Sequence, residues 1–385
     1  MSKLKVAVLF GGISTEHEIS IISAIQVMNA LNKGKYDIIP LYITKKGEWI
    51  RGDESYFNPS TFKDLEKAVK GKKSCFISPD STTKYLIEKP ESFTFLKTFV
   101  KEEIDIVFPV FHGRLGEDGS IQGLLEVAGI PYVGCGVTAS AIGMDKMITK
   151  RIAQSINIPT LLGNQITTKN SKDAMNGLKF PVYVKPVHLG SSIGVKRAAN
   201  NKELREALEI GFFYDDKVLV EQGLQNMKEV NISLIGNNPY EVSPTEMPIA
   251  SSEILSFKDK YLSEDGKSRG MASLKRIIPA PIKKETQNKV EMYATKFFAE
   301  IGGEGIVRMD FLLTKDEKKI YLNEINTMPG SLAFYLWKEK GINFTELLDK
   351  LIKLGLERAE RKRKVNTTFE SNVLQNFGGS KGSKN

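Results

Sequence analysis

Four polar side chains near residue 315 have the types and the spacing of a divalent metal site. Arg308 and Asp310 alternate on one strand-like segment, and Glu324 and Asn326 alternate on the next, with a charged turn between the two. Strand alternation places each pair on one face of a β-hairpin. Carboxylate and amide oxygens suit Mg²⁺, a hard ion. The pattern therefore favours Mg²⁺ binding over solvent-facing polar alternation, because two buried carboxylates without a cation would be costly.

A second chemical motif begins at Lys185, at the end of the strand-like segment 181–186. It continues as the glycine- and serine-rich sequence His188-Leu-Gly-Ser-Ser-Ile-Gly194. Backbone N–H groups in such a loop can surround phosphate oxygens, and a lysine beside them can neutralise phosphate charge. An ordinary glycine turn would have the same composition. No GxxxxGK[ST] motif occurs and no GxGxxG turn follows a strand, which disfavours the P-loop and dinucleotide-binding classes.

Two further motifs place single titratable side chains where a substrate could meet them. Thr15-Glu-His-Glu18 follows a Gly-Gly turn and fits a helix capping box, in which Glu18 satisfies helical N–H groups. The alternative is that the Glu18 carboxylate holds a substrate ammonium.

His112 follows the buried segment 104–111. Because ligands bind at the carboxyl ends of parallel strands, His112 is a candidate for substrate contact. The alternative is that it is a structural histidine.

The elements that position these motifs predict an α/β protein. Residues 4–43 have the pattern strand, glycine turn, helix, strand, and a further buried strand at 104–111 indicates a mainly parallel sheet. The domain boundaries predicted by the pattern are an N-terminal α/β domain at 1–138, a central unit at 139–217, a C-terminal unit at 218–360 and a flexible basic tail at 361–385.

Composition and charge limit the class of protein. The chain has 385 residues, 41% of them apolar and 26% charged, which is typical of a multidomain globular protein. Its longest apolar runs are strand-length, so a membrane association is not expected, and the cytoplasm is the expected location. The two cysteines argue against a disulfide framework. The net charge of +9 lies partly in the tail, which favours a solvated terminus over nucleic-acid binding.

Taken together, the motifs closely resemble the D-alanine:D-alanine ligases of the ATP-grasp superfamily. The resemblance spans roughly residues 4–355, without 45–100 and the tail, and rests on the order of six segments: Phe10 to Ile21, Phe111 to Ser120, Gly143-Met-Asp-Lys146, Lys185 to Gly194, Lys260-Tyr261 and Asn323 to Gly330. It implies a three-domain ATP-grasp architecture with an N-terminal parallel-sheet domain. It also implies ATP and Mg²⁺ or Mn²⁺ as cofactors, with two ions, and a homodimer.

The resemblance also implies site roles. Glu18 would bind the first amino acid's ammonium, Ser191 would link Glu18 to Tyr261, and Tyr261 with Lys260 would belong to a loop closing over the site. Lys146 and Lys185 would contact the ATP phosphates, and Glu221 and Glu229 would contact adenine and ribose. Asp310, Glu324 and Asn326 would bind the metal. Arg308 would lie beside the reacting phosphate, and the Gly330 backbone would contribute to an oxyanion site.

The implied reaction is ATP-dependent ligation of two D-alanines through an acylphosphate, for peptidoglycan precursors. One departure from the family pattern concerns the acceptor: Tyr335 stands where a serine usually contacts the second substrate's carboxylate. A tyrosine hydroxyl can also donate to a carboxylate, so Tyr335 is expected to take this role. The alternative is an ATP-grasp ligase that uses D-serine, D-lactate or another acceptor.

Overall fold

The computed structural model describes residues 2–89, 100–224, 226–249 and 275–376. Its strands are β1 (Leu4–Gly11), β2 (Tyr36–Ile43), β3 (Trp49–Arg51), β4 (Lys73–Ile77), β5 (Tyr85–Glu88), β6 (Val100–Glu103), β7 (Ile106–Val110), β8 (Gly163–Ile166), β9 (Val182–Pro186), β10 (Lys196–Ala198), β11 (Val218–Gln222), β12 (Lys228–Gly236), β13 (Tyr240–Val242), β14 (Met247–Pro248), β15 (Arg276–Ile277), β16 (Gly305–Leu313) and β17 (Ile320–Asn326). Its α-helices are α1 (His17–Ala30), α2 (Leu65–Val69), α3 (Ser120–Val127), α4 (Val137–Met144), α5 (Lys146–Ser155), α6 (Asn201–Tyr214), α7 (Lys284–Glu300), α8 (Phe334–Lys338) and α9 (Phe344–Arg363).

The N-terminal unit is a seven-stranded sheet in the order β6-β5-β4-β3-β2-β1-β7. Its β2-β1-β7 part is parallel, which confirms the predicted βαβ opening, while β3 to β6 extend it with antiparallel pairs. Both faces of β1 are apolar because helices cover both: Val6, Val8 and Phe10 pack with α1 and α9, and Ala7 and Leu9 pack on the opposite side with α3.

The middle unit is a four-stranded antiparallel sheet in the order β10-β9-β11-β8. Helix α6 packs on this sheet through Leu204, Ala207 and Leu208. Strand β11 pairs with β8 and β9, so residues 218–222 belong to this unit and not to the C-terminal unit in which the boundary at 217 had placed them. Sequence pattern cannot assign a strand to a sheet, because the assignment depends on hydrogen bonds to distant segments.

The C-terminal unit is a third sheet in the order β13-β12-β16-β17. The predicted hairpin is confirmed: β16 and β17 are antiparallel and joined by a turn. Helices α4, α5 and α7 cover the apolar face of this sheet, where Ala139, Ala153 and Phe297 pack against its core. Residues 139–155 therefore support the C-terminal sheet, although the sequence analysis placed them in the central unit.

Helix α9 connects the C-terminal unit to the N-terminal sheet and continues through the first residues of the expected tail, to Arg363. Arg361 and Lys362 form ion pairs with Glu304 and Glu126, so this basic cluster is partly neutralised by the protein itself. Among the described helices, none has both the length and the apolar character required to span a bilayer.

Candidate active site

The predicted metal-binding side chains form a row across the C-terminal sheet. In the β16–β17 pairing, Asp310 lies opposite Glu324 and Arg308 lies opposite Asn326. Directly opposed residues of antiparallel strands point to the same face, with their Cβ atoms roughly 5 Å apart. The register therefore brings the three predicted ligands, Asp310, Glu324 and Asn326, onto one face of the hairpin.

The buried Arg308 and Asp310 side chains form a bidentate ion pair. Arg308 Nε and Nη2 each donate to one oxygen of Asp310 at 2.7 Å, and Asn326 Nδ2 lies 3.3 Å from the same carboxylate. Burial opposes the charge of the guanidinium, but the Asp310 carboxylate outweighs it and raises the pKa of Arg308 well above its ordinary value. Arg308 is thus a fixed positive charge beside the predicted metal ligands.

A cleft lies between the middle sheet and the C-terminal sheet, next to this row. Tyr183, Lys185 and Glu221 line it from the middle sheet, and Asp310 and Leu312 line it from the C-terminal sheet. The structure brings the predicted nucleotide contacts and two of the predicted metal ligands together in this one cleft: Lys146, Lys185, Glu221, Glu229, Asp310 and Glu324.

Glu221 is buried between two lysines. Lys185 Nζ lies 2.5 Å from Glu221 Oε2, and Lys150 Nζ forms an ion pair with the other oxygen. Burial alone would raise the pKa of Glu221, but the two ammonium groups lower it to about 2. The sequence analysis missed Lys150; its position one helical turn after Lys146 was the available signal, because residues four apart share a helix face.

The serine-rich loop and Lys146 are held together at one end of the cleft. Lys146 is the first residue of α5, and its ammonium group donates to the carbonyl of Leu189. Ser191 and Ser192 have left-handed backbones, with φ of 52° and 59°, which is uncommon for residues other than glycine. Strain of this kind clusters at functional sites, where surrounding structure maintains it.

Glu16, and not Glu18, meets this loop. Ser191 Oγ donates to the Glu16 carboxylate, which is buried, whereas Glu18 pairs with Lys45 at the surface with 57% of its side chain exposed. The predicted link from Ser191 to Glu18 is therefore wrong. The predicted capping box of Thr15 and Glu18 is also wrong, because α1 begins at His17 and no side chain caps it. Residues two apart lie on opposite sides of a helix start, so only one of the two glutamates can face the loop.

Glu117 is a second carboxylate near Glu16 that the sequence analysis did not select. The backbone N–H of Gly113 donates to Glu117 Oε2 at 2.5 Å. Burial, followed by the nearby Glu16 charge, raises the pKa of Glu117 well above its ordinary value. Gly113 itself has no room for a side chain, since a Cβ there would lie 2.9 Å from Glu16 Oε2. The glycine-rich sequence after His112 was the available signal.

His112 lies buried at the carboxyl end of the parallel strands, as predicted. Its Nε2 lies 2.9 Å from Ser23 Oγ, and its carbonyl accepts a hydrogen bond from Ser14. Burial and the neighbouring Arg308 charge lower the pKa of His112 to about 4, so the imidazole is neutral at physiological pH.

Gly330 begins an unusual turn that leads to Tyr335. The three residues after it, Ser331, Leu332 and Ala333, all have left-handed backbones, a conformation that costs roughly 1–2 kcal/mol per residue for L-amino acids. Beyond this turn, the buried Tyr335 hydroxyl donates to Glu246 Oε1 at 3.1 Å.

Arg276 completes the surroundings of Tyr335. Its guanidinium lies 3.5 Å from the centre of the Tyr335 ring and donates to Glu246 at 3.0 Å. Asn231, which lies opposite Asp310 in the sheet, also pairs with Glu246 across the strand. Glu246 thus extends the row of polar residues that contains the predicted metal ligands. Lys260 and Tyr261 lie outside the described residues.

Two family models match most of the chain. The model described as D-ala D-ala ligase N-terminus matches residues 5–135, and the one described as D-ala D-ala ligase C-terminus matches residues 155–353. The N-terminal match includes residues 45–100, which the resemblance from motifs had left out.

Full-length relatives and solved structures agree with these matches. The chain is 39% identical to a D-alanine--D-alanine ligase of Caldicellulosiruptor bescii, over 96% of this chain and 100% of that one, and 38% identical to one of Thermosipho melanesiensis, over 97% and 98%. The D-alanine-D-alanine ligase structure from Coxiella burnetii has a TM-score of 0.78 at 26% identity, covering 98% of each chain. The VanG D-Ala:D-Ser ligase structure from Enterococcus faecalis has a TM-score of 0.76 at 31% identity, covering 92% of this chain and 100% of that one. With both family models matched and relatives aligned over nearly its whole length, the chain belongs to the D-alanine–D-alanine ligase family.

Proposed function

We propose that the chain joins two D-alanines to D-alanyl-D-alanine, coupled to the cleavage of ATP to ADP and phosphate. The observation that carries this proposal is the cleft between two sheets, in which Lys146 and Lys185 lie beside Asp310 and Glu324. Such a cleft combines cations for phosphate groups with oxygen ligands for a divalent ion, which are the two requirements of phosphoryl transfer.

The proposed nucleotide orientation follows from the chemistry of the lining. Leu161, Tyr183, Met227 and Leu312 supply apolar surface from both sheets, which suits a flat base. Glu229 lines the same cleft and is proposed to bind the ribose. The phosphates would then extend toward the lysines. Burial opposes the charge of the Lys185 ammonium, but the ion pair with Glu221 outweighs it and raises the pKa of Lys185, so this group stays charged.

The oxygen donors of the hairpin support the proposal that Mg²⁺ or Mn²⁺ binds here. Asp310, Glu324 and Asn326 offer carboxylate and amide oxygens from opposed positions of one hairpin. Arg308 donates one hydrogen bond to each Asp310 oxygen. A carboxylate has about four lone pairs, so lone pairs remain on Asp310 to bind a metal ion. These residues would hold one ion or two, and the ion would neutralise charge on the transferring phosphoryl group.

The first D-alanine is proposed to bind where Glu16 and Glu117 meet. Burial, and after it the neighbouring Glu16 charge, raise the pKa of Glu117. A substrate ammonium between the two carboxylates would offset both effects. Ser191 fixes Glu16 by donating to it. The ammonium role predicted for Glu18 therefore moves to Glu16 in this proposal.

The reaction needs positioning and charge stabilisation more than covalent help. A carboxylate oxygen of the first D-alanine attacks the γ-phosphorus, the bond to the β-phosphate oxygen breaks, and ADP leaves. The amino group of the second D-alanine, having lost a proton, then attacks the acylphosphate carbonyl and phosphate leaves. Arg308 and the Gly330 backbone are proposed to stabilise the developing negative charge.

The acceptor end is proposed to include Tyr335 together with Arg276. The Tyr335 hydroxyl donates its proton to Glu246, so it cannot donate the same proton to a substrate carboxylate. Tyr335 would instead contribute to acceptor binding by fixing the Arg276 guanidinium that lies over its ring. The positive charge of Arg276 would then attract the acceptor carboxylate. D-Serine or D-lactate as acceptor remains the alternative, and the structural similarity to a D-Ala:D-Ser ligase is the observation that favours D-serine.

Turnover of Mg²⁺-ATP with D-alanine, L-alanine, D-serine and D-lactate, with mass spectrometry of the product, tests the proposed function. The expected product is D-alanyl-D-alanine, formed only when D-alanine is present. A mixed product formed in preference from D-alanine and D-serine would support the alternative acceptor. ATP hydrolysis that does not depend on any amino acid would contradict both.

Two further features of the proposal follow from the family resemblance: a homodimer and a cytoplasmic reaction. Sedimentation equilibrium of the purified protein tests the first, and a mass of two chains is expected. Fractionation of cells that express the protein tests the second.

A further inference from the structure

His188, the first residue of the glycine- and serine-rich sequence, lies between two carboxylates. Its Nδ1 is 3.0 Å from Asp215 Oδ2, and its Nε2 is 3.3 Å from Asp145 Oδ2. The backbone N–H of His188 also donates to Asp215, at 2.7 Å. Only the imidazolium form carries a hydrogen on both ring nitrogens, so the charged ring satisfies both contacts.

The charges around His188 favour this form. Hydrogen bonds to Asp145 and to Asp215 raise the pKa of His188 to about 9, against partial burial, and the same contacts lower the pKa of Asp215 to about 2. The other charged groups that face this cluster are Asp216, Lys217, Arg114 and Asp118, which line a separate surface groove with His188. Lys146, next to Asp145 in the chain, also interacts with Asp215. Acidic and basic groups are thus balanced around the ring.

His188, Asp215 and Asp216 also bring one nitrogen and two oxygens within 4.8 Å of one another, as in a metal site. The hydrogen bonds of the imidazolium explain this arrangement without an ion. A doubly protonated ring has no lone pair to give to a metal.

The two carboxylates belong to elements that support the candidate active site. Asp145 caps α5 by accepting hydrogen bonds from the N–H groups of Met147 and Ile148, both at 2.9 Å. The next residue is Lys146, which lines the cleft. Asp215 follows α6 and precedes β11, the strand that carries Glu221.

The loop that His188 begins makes the contacts proposed for both substrates. Gly190 and Ser192 line the nucleotide cleft, and Ser191 donates to Glu16. Two left-handed serines make this loop costly to maintain, so its entry point has to be fixed. His188 fixes this entry point to α5 through Asp145 and to the segment before β11 through Asp215.

We propose that His188 is a positioning residue for the ligation reaction: bridging Asp145 and Asp215, it holds the loop Leu189–Gly194 against the start of α5, so that Lys146 and the loop backbone bind the ATP phosphates. This inference rests on the proposed function. His188 touches no substrate in this scheme and acts through the loop.

The test compares His188→Asn with the unchanged protein, measuring KM for ATP, KM for each D-alanine and kcat. Asparagine keeps one donor but cannot bridge both carboxylates. The expected result is an increase of about tenfold in KM for ATP, since small displacements of binding groups have effects of this order, with the acceptor KM unchanged. Asp216→Asn is the matched control: it removes a charge from the exposed side of the same cluster, and its KM for ATP should stay within about twofold.

The pH profiles of the unchanged protein and of the His188→Asn variant provide a second test. Because the pKa of His188 is raised, to about 9, the bridge is complete at neutral pH and is lost as the pH rises through 9. KM for ATP should therefore rise through pH 9 more steeply in the unchanged protein than in the His188→Asn variant. Lys146, whose pKa is lowered by burial, contributes to the profile of both proteins alike.

Three outcomes would overturn the inference: an unchanged KM for ATP in His188→Asn, an equal effect of Asp216→Asn, or a rise in KM for ATP through pH 9 that is no steeper in the unchanged protein than in His188→Asn. Each of these leaves the proposed function intact if D-alanyl-D-alanine is still formed. Loss of that product in the unchanged protein would instead contradict the proposed function.

Discussion

Glu16 and Glu18 differ in their surroundings although only one residue separates them. Glu16 is buried and accepts a hydrogen bond from a residue 175 positions away, whereas Glu18 forms a surface ion pair with Lys45. Surface pairs of this kind contribute about 0–1 kcal/mol to stability. A buried carboxylate facing a loop at the candidate active site is a better candidate for binding an ammonium group.

We expect Glu16→Gln to lower kcat/KM for the first D-alanine by about 10²-fold, because an amide cannot replace the charge that attracts an ammonium. Glu18→Gln is the matched control and should change the same constant by less than about twofold. Steady-state kinetics with varied D-alanine measures both. Equal effects of the two substitutions would contradict the assignment of Glu16.

Tyr335 gives a second prediction at the scale of one residue. Tyr335→Phe removes the hydrogen bond to Glu246 and loosens the stacked Arg276. Leaving a buried charged group short of one hydrogen bond costs about 1–3 kcal/mol, so we expect the acceptor KM to rise between about 5-fold and 100-fold while the KM of the first D-alanine changes little. If the acceptor KM stays the same, Tyr335 has no part in the acceptor site.

At the scale of elements, the fit of α9 against the N-terminal unit depends on a glycine. A Cβ at Gly355 would lie 2.7 Å from the carbonyl oxygen of Tyr132. The same carbonyl accepts a hydrogen bond from Arg358 on the next turn of α9, at 2.7 Å. The helix and the N-terminal sheet are therefore in direct backbone contact here, and this contact fixes the C-terminal unit against the N-terminal one.

This contact predicts opposite effects for two Gly→Ala substitutions in helices. Gly355→Ala should lower the free energy of unfolding by about 1–3 kcal/mol, because the methyl group would force the helix away from the sheet. Gly123→Ala in α3, where a Cβ would meet nothing within 4 Å, should raise it by about 0.5–1 kcal/mol, since alanine is the better helix former. Urea unfolding of the two variants measures the difference. Stabilisation by both substitutions would show that the contact is not close.

Strand pairing also explains the position of the candidate metal ligands. One row of the C-terminal sheet contains Glu246, Asn231, Asp310 and Glu324 on four adjacent segments. Side chains opposite one another on neighbouring strands share a face. The row therefore connects the proposed acceptor end, at Glu246, with the proposed metal end, at Glu324, through hydrogen-bonded strands that are rigid relative to one another.

At the scale of the whole molecule, the nucleotide cleft lies between two sheets that belong to different units. A ligand that contacts both sheets binds the folded arrangement and not the unfolded chain. Its binding free energy is therefore added to the stability of the protein.

We expect Mg²⁺-ATP to raise Tm by several degrees, since a ligand at about a hundredfold excess over its Kd adds about 2.7 kcal/mol. Differential scanning calorimetry with Mg²⁺-ATP measures the shift. AMP, which lacks the phosphates proposed to meet Lys146 and Lys185, is the control and should give a smaller shift. An equal shift with AMP would contradict the proposed position of the phosphates.

The sequence by itself determined the local features of this protein. The β16–β17 hairpin and the shared face of Arg308 and Asp310 follow from alternation over a few residues, and the β1–α1–β2 opening follows from apolar periodicity. Lys185 was also available from its glycine- and serine-rich motif, whereas the roles of Lys146, Glu221 and Glu229 came from the resemblance to the family. These features depend on neighbours in the chain, which is why a single sequence reveals them.

Tertiary structure decided which of several similar side chains face the site. Ser191, in a distant loop, donates to Glu16 and not to Glu18. Glu246, which accepts from the Tyr335 hydroxyl, lies 89 residues away in the chain. The membership of β11 in the middle sheet and the two partners of His188 likewise arise from segments that are remote in the chain. Local periodicity contains no information about these contacts, because they form only when the three sheets pack against one another.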